Sequence, residues 1–88
     1  MATEAARLRV DARIDVVREV CPMTYVRTKL ALESLAVGQR LEVRLTGEEP
    51  LRNVPRSAQE EGHEVESLTP AGDDGTWSLV IRKGRDAF

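Results

Sequence analysis

Cys21-Pro22 is the pair of residues in this 88-residue chain best suited to covalent chemistry, and Cys21 is the only cysteine. The reactive form of cysteine is the thiolate, which is stabilised by nearby positive charge and by the unpaired N–H groups at a helix N-terminus. Proline favours the first position of a helix, where its missing N–H would have no intrahelical partner. Cys21 is therefore predicted to cap a helix that opens at Pro22. The helix dipole contributes about 0.3–1 kcal/mol at an exposed site, less than one pKa unit at roughly 1.36 kcal/mol per unit. Arg18 and Arg27 are candidates for further positive charge. The competing reading is a small core hydrophobe, since free cysteine is among the most buried residue types. Its place between a strand end and a proline-started helix weighs against that reading, because ligand sites in α/β sheets gather at such junctions, and the residues alone leave the two readings level.

The elements that position this thiol follow from periodicity. Ala12, Ile14 and Val16 alternate with polar neighbours, the period-two pattern of a strand with one buried face. Met23 to Ala36 contains no Gly or Pro, and Thr28, Ala31, Leu32 and Leu35 recur at the spacing of one helical face. Gly38 ends that helix. Leu41, Val43 and Leu45 predict a second strand, and a short helix is expected from Asn53 or Val54 to Glu61, capped by Asn53 with Pro55 in its first turn. Val65 and Leu68 suggest a third strand of poor phase. Pro70 to Gly75 is dense in turn formers, and Trp77, Leu79 and Ile81 mark a last strand, expected at the centre of the sheet. A strand-helix-strand-helix-strand-strand order predicts an α/β fold, a mixed four-stranded sheet with two helices on one face.

Composition narrows the function classes. One domain is expected over 1–88, with an ordered core at about 12–84 and flexible ends. Hydrophobic residues make up 41% and charged residues 32%, as in globular proteins. A net charge of −2 gives no bulk attraction to nucleic acid, and the short apolar runs predict no membrane segment. One cysteine and one histidine, His63, make neither a disulfide nor a zinc site, so no metal or cofactor is expected. A free thiol suits the cytoplasm.

The string Cys21-Pro22-Met23-Thr24-Tyr25-Val26-Arg27-Thr28-Lys29-Leu30-Ala31-Leu32 resembles the signature of the TusA/SirA/YedF-like sulfur-carrier family, in which Cys-Pro-x-Pro opens the first helix. Asn53-Val54-Pro55 resembles that family's start of the second helix, Gly62-His63-Glu64 its step into the third strand, and Ile81-Arg82-Lys83-Gly84 its final strand. The similarity runs from about Ile14 to Gly84. It implies a two-layer βαβαββ sandwich. It also implies that Cys21 accepts sulfane sulfur as a persulfide from a donor protein of desulfurase or rhodanese type and passes it to an acceptor protein. This is a sulfurtransferase relay, by an expected monomer, rather than turnover of a small substrate. Cys21 and Pro22 carry over directly. Thr24 replaces the motif's second proline, Arg18 stands where a glycine is common, and Gly47 where an aspartate is common. Arg18, Met23, Val26, Arg27 and Lys83 are candidate contacts to the thiolate or to a partner.

The alternative is a non-catalytic regulatory or RNA-binding module of the SirA-like type, using Arg27, Lys29, Arg40, Arg44, Arg52 and Arg56. The chain has 15 acidic residues and only three aromatic ones, too few for a base-stacking platform, so these cations are read as a solvated face. No C-x-x-C pair supports thiol redox catalysis. His63 is read as a strand-end residue, and Glu48-Glu49, Glu60-Glu61 and Asp73-Asp74 as solvated charge. If Thr28, Ala31, Leu32 and Leu35 face the sheet, then Met23, Val26 and Leu30 form a second, outward stripe beginning beside Cys21.

Overall fold

Alternation in the strand segments and three-four spacing in the helices produce β1 (Ala12–Asp15), α1 (Met23–Glu33), β2 (Arg40–Thr46), α2 (Glu48–Glu60), β3 (Glu64–Pro70) and β4 (Thr76–Arg82). The computed structural model describes residues 10–19 and 23–85. Cys21, Pro22 and the outermost residues of both predicted flexible ends lie outside the described residues.

The strands form one sheet in the order β1-β2-β4-β3, parallel between β1 and β2 and antiparallel elsewhere. β4 lies inside the sheet, as its continuous apolar run predicts. Leu41, Val43 and Leu45 of β2 and Leu79 and Ile81 of β4 point to one face and are fully buried with Val16, Leu32, Val54 and Ala58. Both helices cover this face. Each such side chain contributes about 1.5–3 kcal/mol by leaving water. On the other face, charged residues pair across strands: Arg13 with Glu42 at 2.6 Å, Arg40 with Glu66, and Arg82 with Glu64 at 2.5 Å. Glu42 also accepts a hydrogen bond from the Ser78 hydroxyl at 2.5 Å, and that bond, then Arg13, holds its carboxyl below the usual range against the opposing effect of burial.

Three local expectations change. The helix α1 stops at Glu33 rather than Ala36, because Ser34 and Leu35 donate to the carbonyls three residues back, at 3.2 and 3.1 Å, and tighten the last turn. The helix α2 starts at Glu48, well before Asn53. Gly47, at φ 97°, precedes it without a side-chain cap, and Glu48 and Glu49 lie at its positive end. Pro50 occupies the first turn, and Pro55 sits inside the helix, where it removes one intrahelical hydrogen bond. Finally, the register of β3 shifts between Val65 and Ser67. This bulge at Glu66 lets Val65 and Leu68, three residues apart, both pack on the core.

The far end of the sheet is held by backbone contact. Gly38 donates to the Lys83 carbonyl and Lys83 to the Gln39 carbonyl, each at 2.8 Å. A Cβ on Gly84 would stand 2.0 Å from the Gly62 carbonyl oxygen, so only glycine allows this approach.

The facing of α1 is testable by truncation. Leu32→Ala is expected to cost about 2–5 kcal/mol, as for other buried leucines, and Leu30→Ala, at a 60% exposed position, within about 0.5 kcal/mol. Urea unfolding of both variants measures the contrast, and equal losses would mean that the helix is rotated.

Candidate functional site

The chain reaches the candidate thiol from the end of β1. Val16 donates its N–H to the Arg44 carbonyl at 2.9 Å, Val17 donates to Asp15 Oδ1 at 3.0 Å, and Glu19 donates to the Val16 carbonyl at 3.0 Å. These bonds end the strand and make a tight turn. The next described residue is Met23, the first of α1, so only Pro22 separates Cys21 from a helix start in the sequence.

The inward side of α1 is polar at its first half and apolar at its second. Thr24 and Thr28 are buried with Leu32, and the Thr28 hydroxyl donates to the Thr24 carbonyl at 2.8 Å. A small β-branched residue thus fills the site where the family motif has its second proline. Outward from the sheet lie Met23, Val26 and Leu30, at 43%, 39% and 60% exposure. The predicted second stripe is therefore exposed apolar surface, and it begins at the end of α1 nearest Cys21 in sequence.

Arg27 points its guanidinium at Glu19, with Nη1 3.7 Å from Oε2. This ion pair links the second turn of α1 to the turn after β1, on either side of residues 20–22. Sequence reasoning missed Glu19, since nothing in an acid and a base eight positions apart across a break in structure signals a contact. Arg18 is exposed in the same turn. The structure thus gathers Arg18, Met23, Thr24, Val26 and Arg27 around the β1–α1 junction.

Lys83, a candidate contact to the thiolate or to a partner, is set apart from them. It is 3% exposed and its Nζ donates to the Leu35 carbonyl at 2.6 Å, beyond the C-terminal end of α1. An 11-residue helix is about 16 Å long, and the whole of it lies between Met23 and this ammonium. Near Lys83, Lys29, Leu32, Glu33, Glu61 and His63 line a shallow depression. Tyr25 joins α1 to α2, its hydroxyl 3.5 Å from the Ser57 carbonyl, and burial followed by Glu61 and Glu60 pushes its phenol far up.

Of the six cations proposed for a nucleic-acid face, Arg52 is exposed on α2 and the other five face carboxylates. Arg27 faces Glu19, Lys29 faces Glu61 at 3.6 Å, Arg40 faces Glu66, Arg44 faces Asp15 at 3.9 Å, and Arg56 faces Glu60 at 3.4 Å. They lie on several elements and make no continuous basic stripe. Among the described residues, no group of three His, Cys, Asp or Glu side chains is placed to hold a metal ion, and no helix is long and apolar enough to cross a membrane.

Comparison with known proteins agrees with this architecture. Residues 12–83 match the family described as sulfurtransferase TusA. A candidate sulfur carrier protein of Archaeoglobus fulgidus is 40% identical over 80 residues, covering 91% of this chain and 90% of that protein. The candidate sulfur carrier protein TsuB of Escherichia coli is 31% identical over 71 residues, covering 81% and 93%. The crystal structure of a SirA-like protein from Desulfitobacterium hafniense superposes with a TM-score of 0.71 at 27% identity, covering 84% of this chain and 99% of the other. The fold and the family match over residues 12–83 lead to one conclusion: this protein belongs to the TusA sulfurtransferase family.

Proposed function

We propose that the protein is a sulfur carrier that holds sulfane sulfur as a persulfide on Cys21 and relays it from a donor protein to an acceptor protein. The observation that carries this reading is the position of the chain's only thiol, two residues before α1 begins and within the stretch that matches the family. In the loading step, the Cys21 thiolate attacks the outer sulfur of a donor persulfide. A new S–S bond forms on Cys21, the donor's S–S bond breaks, and its electron pair leaves with the donor cysteine as thiolate. In unloading, an acceptor nucleophile attacks the same outer sulfur and Cys21 departs as thiolate. Each step exchanges one S–S bond for another bond to sulfur, and no external oxidant is needed for loading.

A single cysteine suits this relay, because a second thiol nearby would attack the persulfide and release its outer sulfur. The reducing cytoplasm, where thiols stay free, is the compartment this chemistry fits, and a monomer leaves the β1–α1 junction open to both partners. Met23 and Val26 supply apolar surface there for docking, and methionine's flexible side chain adapts to more than one partner. The dispersal of the paired cations favours protein partners over RNA.

Cys21→Ser is expected to abolish sulfur loading with the fold retained, since serine is isosteric, caps helices and has no thiolate. Intact-mass measurement after incubation with a persulfide donor checks it: wild type gains the mass of one sulfur atom, and an equal gain on the variant would overturn the assignment. Met23→Ser with Val26→Ser is expected to leave stability within about 1 kcal/mol and loading from a small persulfide normal, while transfer to a protein acceptor falls. Loss of several kcal/mol, as for truncated core residues, would show that these side chains are core. Lys83→Met is expected to lower stability by about 1.5–3 kcal/mol, the range for a charge-assisted hydrogen bond, with the rate of Cys21 alkylation unchanged. A slower alkylation would place the ammonium in the thiol's field.

A further inference from the structure

Gly62, His63, Lys83 and Gly84 meet where the chain leaves α2 and where it leaves β4. The Gly84 N–H donates to His63 Nδ1 at 3.1 Å. The neighbouring backbone donor, Lys83 N–H, is held by the Gln39 carbonyl inside the structure. The Arg85 side chain lies over Gly62, with Cδ 2.5 Å from where a Cβ would stand. Gly84 and Arg85 are thus seated on the Gly62–His63 corner, and the bond that fixes the Gly84 amide uses an imidazole nitrogen with its lone pair free.

We propose that His63 is a proton-sensitive latch that holds Gly84 and Arg85 on this corner and releases them when the imidazole takes up a proton. A neutral imidazole has one donor and one acceptor nitrogen, whereas imidazolium has two donors. Protonation at Nδ1 places N–H against N–H, so the Gly84 amide loses its acceptor. The ring must turn away or the backbone must leave.

The surrounding charges set the direction of the response. From β4 and its continuation, Lys83 and Arg85 oppose a proton on the ring. From α1, Lys29 and Glu33 line the same depression, and Lys29 is engaged with Glu61 at the end of α2. From β3, Glu64 is drawn to Arg82. Burial first, then Lys83 and Arg85, hold the imidazole below its ordinary range, with Glu61 pulling the other way. The released form, freed of these effects, binds a proton more readily than the latched form. Latching is therefore complete above the ordinary histidine pKa of about 6.5 and weakens as pH falls from there toward the lowered value. Over that window the released fraction rises by up to about tenfold per pH unit. Only the outer bond responds, because Lys83 is fixed by backbone carbonyls that do not titrate.

Amide hydrogen exchange of the full chain, followed by NMR from pH 7.5 to 5, tests this. The Gly84 protection factor is expected to fall as His63 protonates, by up to about tenfold per unit, while that of Lys83 holds. In His63→Asn, where the amide oxygen can replace Nδ1 without titrating, Gly84 protection is expected to stay constant. Should that variant not fold, the wild type alone decides: the Gly84 amide proton shift and the His63 ring carbon shifts are expected to share one midpoint, below 6.5. Gly84 protection that is constant through the His63 titration, a loss of equal size in His63→Asn, or separate midpoints would each overturn the latch.

Discussion

The rotation of α1 about its own axis governs the rest of the molecule, and burial of Thr24, Thr28 and Leu32 sets it. Those residues fall three to four positions apart, so they form one stripe along the helix. Placing that stripe on the sheet forces Met23, Val26 and Leu30 outward, whatever the cost of exposing them. It also aims Arg27 back at Glu19, across the segment that carries Cys21. The threonines matter to this geometry because they are small. The Thr28 hydroxyl bonds to the Thr24 carbonyl within the helix, so burying it leaves that group satisfied.

The helix therefore has two unlike ends. At its start stand the exposed Met23 and Val26 and the Arg27–Glu19 pair. Beyond its C-terminal end, Lys83 fastens onto the Leu35 carbonyl, and Gly38 joins the Lys83 carbonyl. The family-like residues Gly62, His63, Lys83 and Gly84 all serve this second end. Their types are explained by packing: Gly84 by the 2.0 Å approach a Cβ would make to the Gly62 oxygen, and Gly62 by a φ of 93°.

How much could be read from the chain alone varied with the kind of interaction. The core of β2 was legible because Leu41, Val43 and Leu45 alternate without interruption, and the outward stripe of α1 because helical spacing is regular. The start of α2 was not, since Pro55 is more at home in a first turn than in the interior it occupies, and Gly47 precedes the helix without offering a side-chain cap. Val65 and Leu68 looked out of phase because a bulge at Glu66 resets the strand, which no alternation rule contains. The tie of Lys83 to Leu35 left no sequence signal, because the backbone carbonyl it satisfies belongs to a residue 48 positions away. Cross-strand ion pairs and the Arg27–Glu19 contact depend on register and crossover geometry, which local spacing does not encode.

The bulge in β3 has a bearing on life in a crowded solution. β3 is an edge strand, and a flat edge offers its unpaired amides and carbonyls as a template on which a foreign strand can add. The inserted Glu66 breaks the two-residue repeat that such a visitor would need, Glu64 places a charge at the strand's start, and Pro70 at its end has no amide to lend. The β3 edge is in this way closed to the one kind of contact that, once made, tends not to let go.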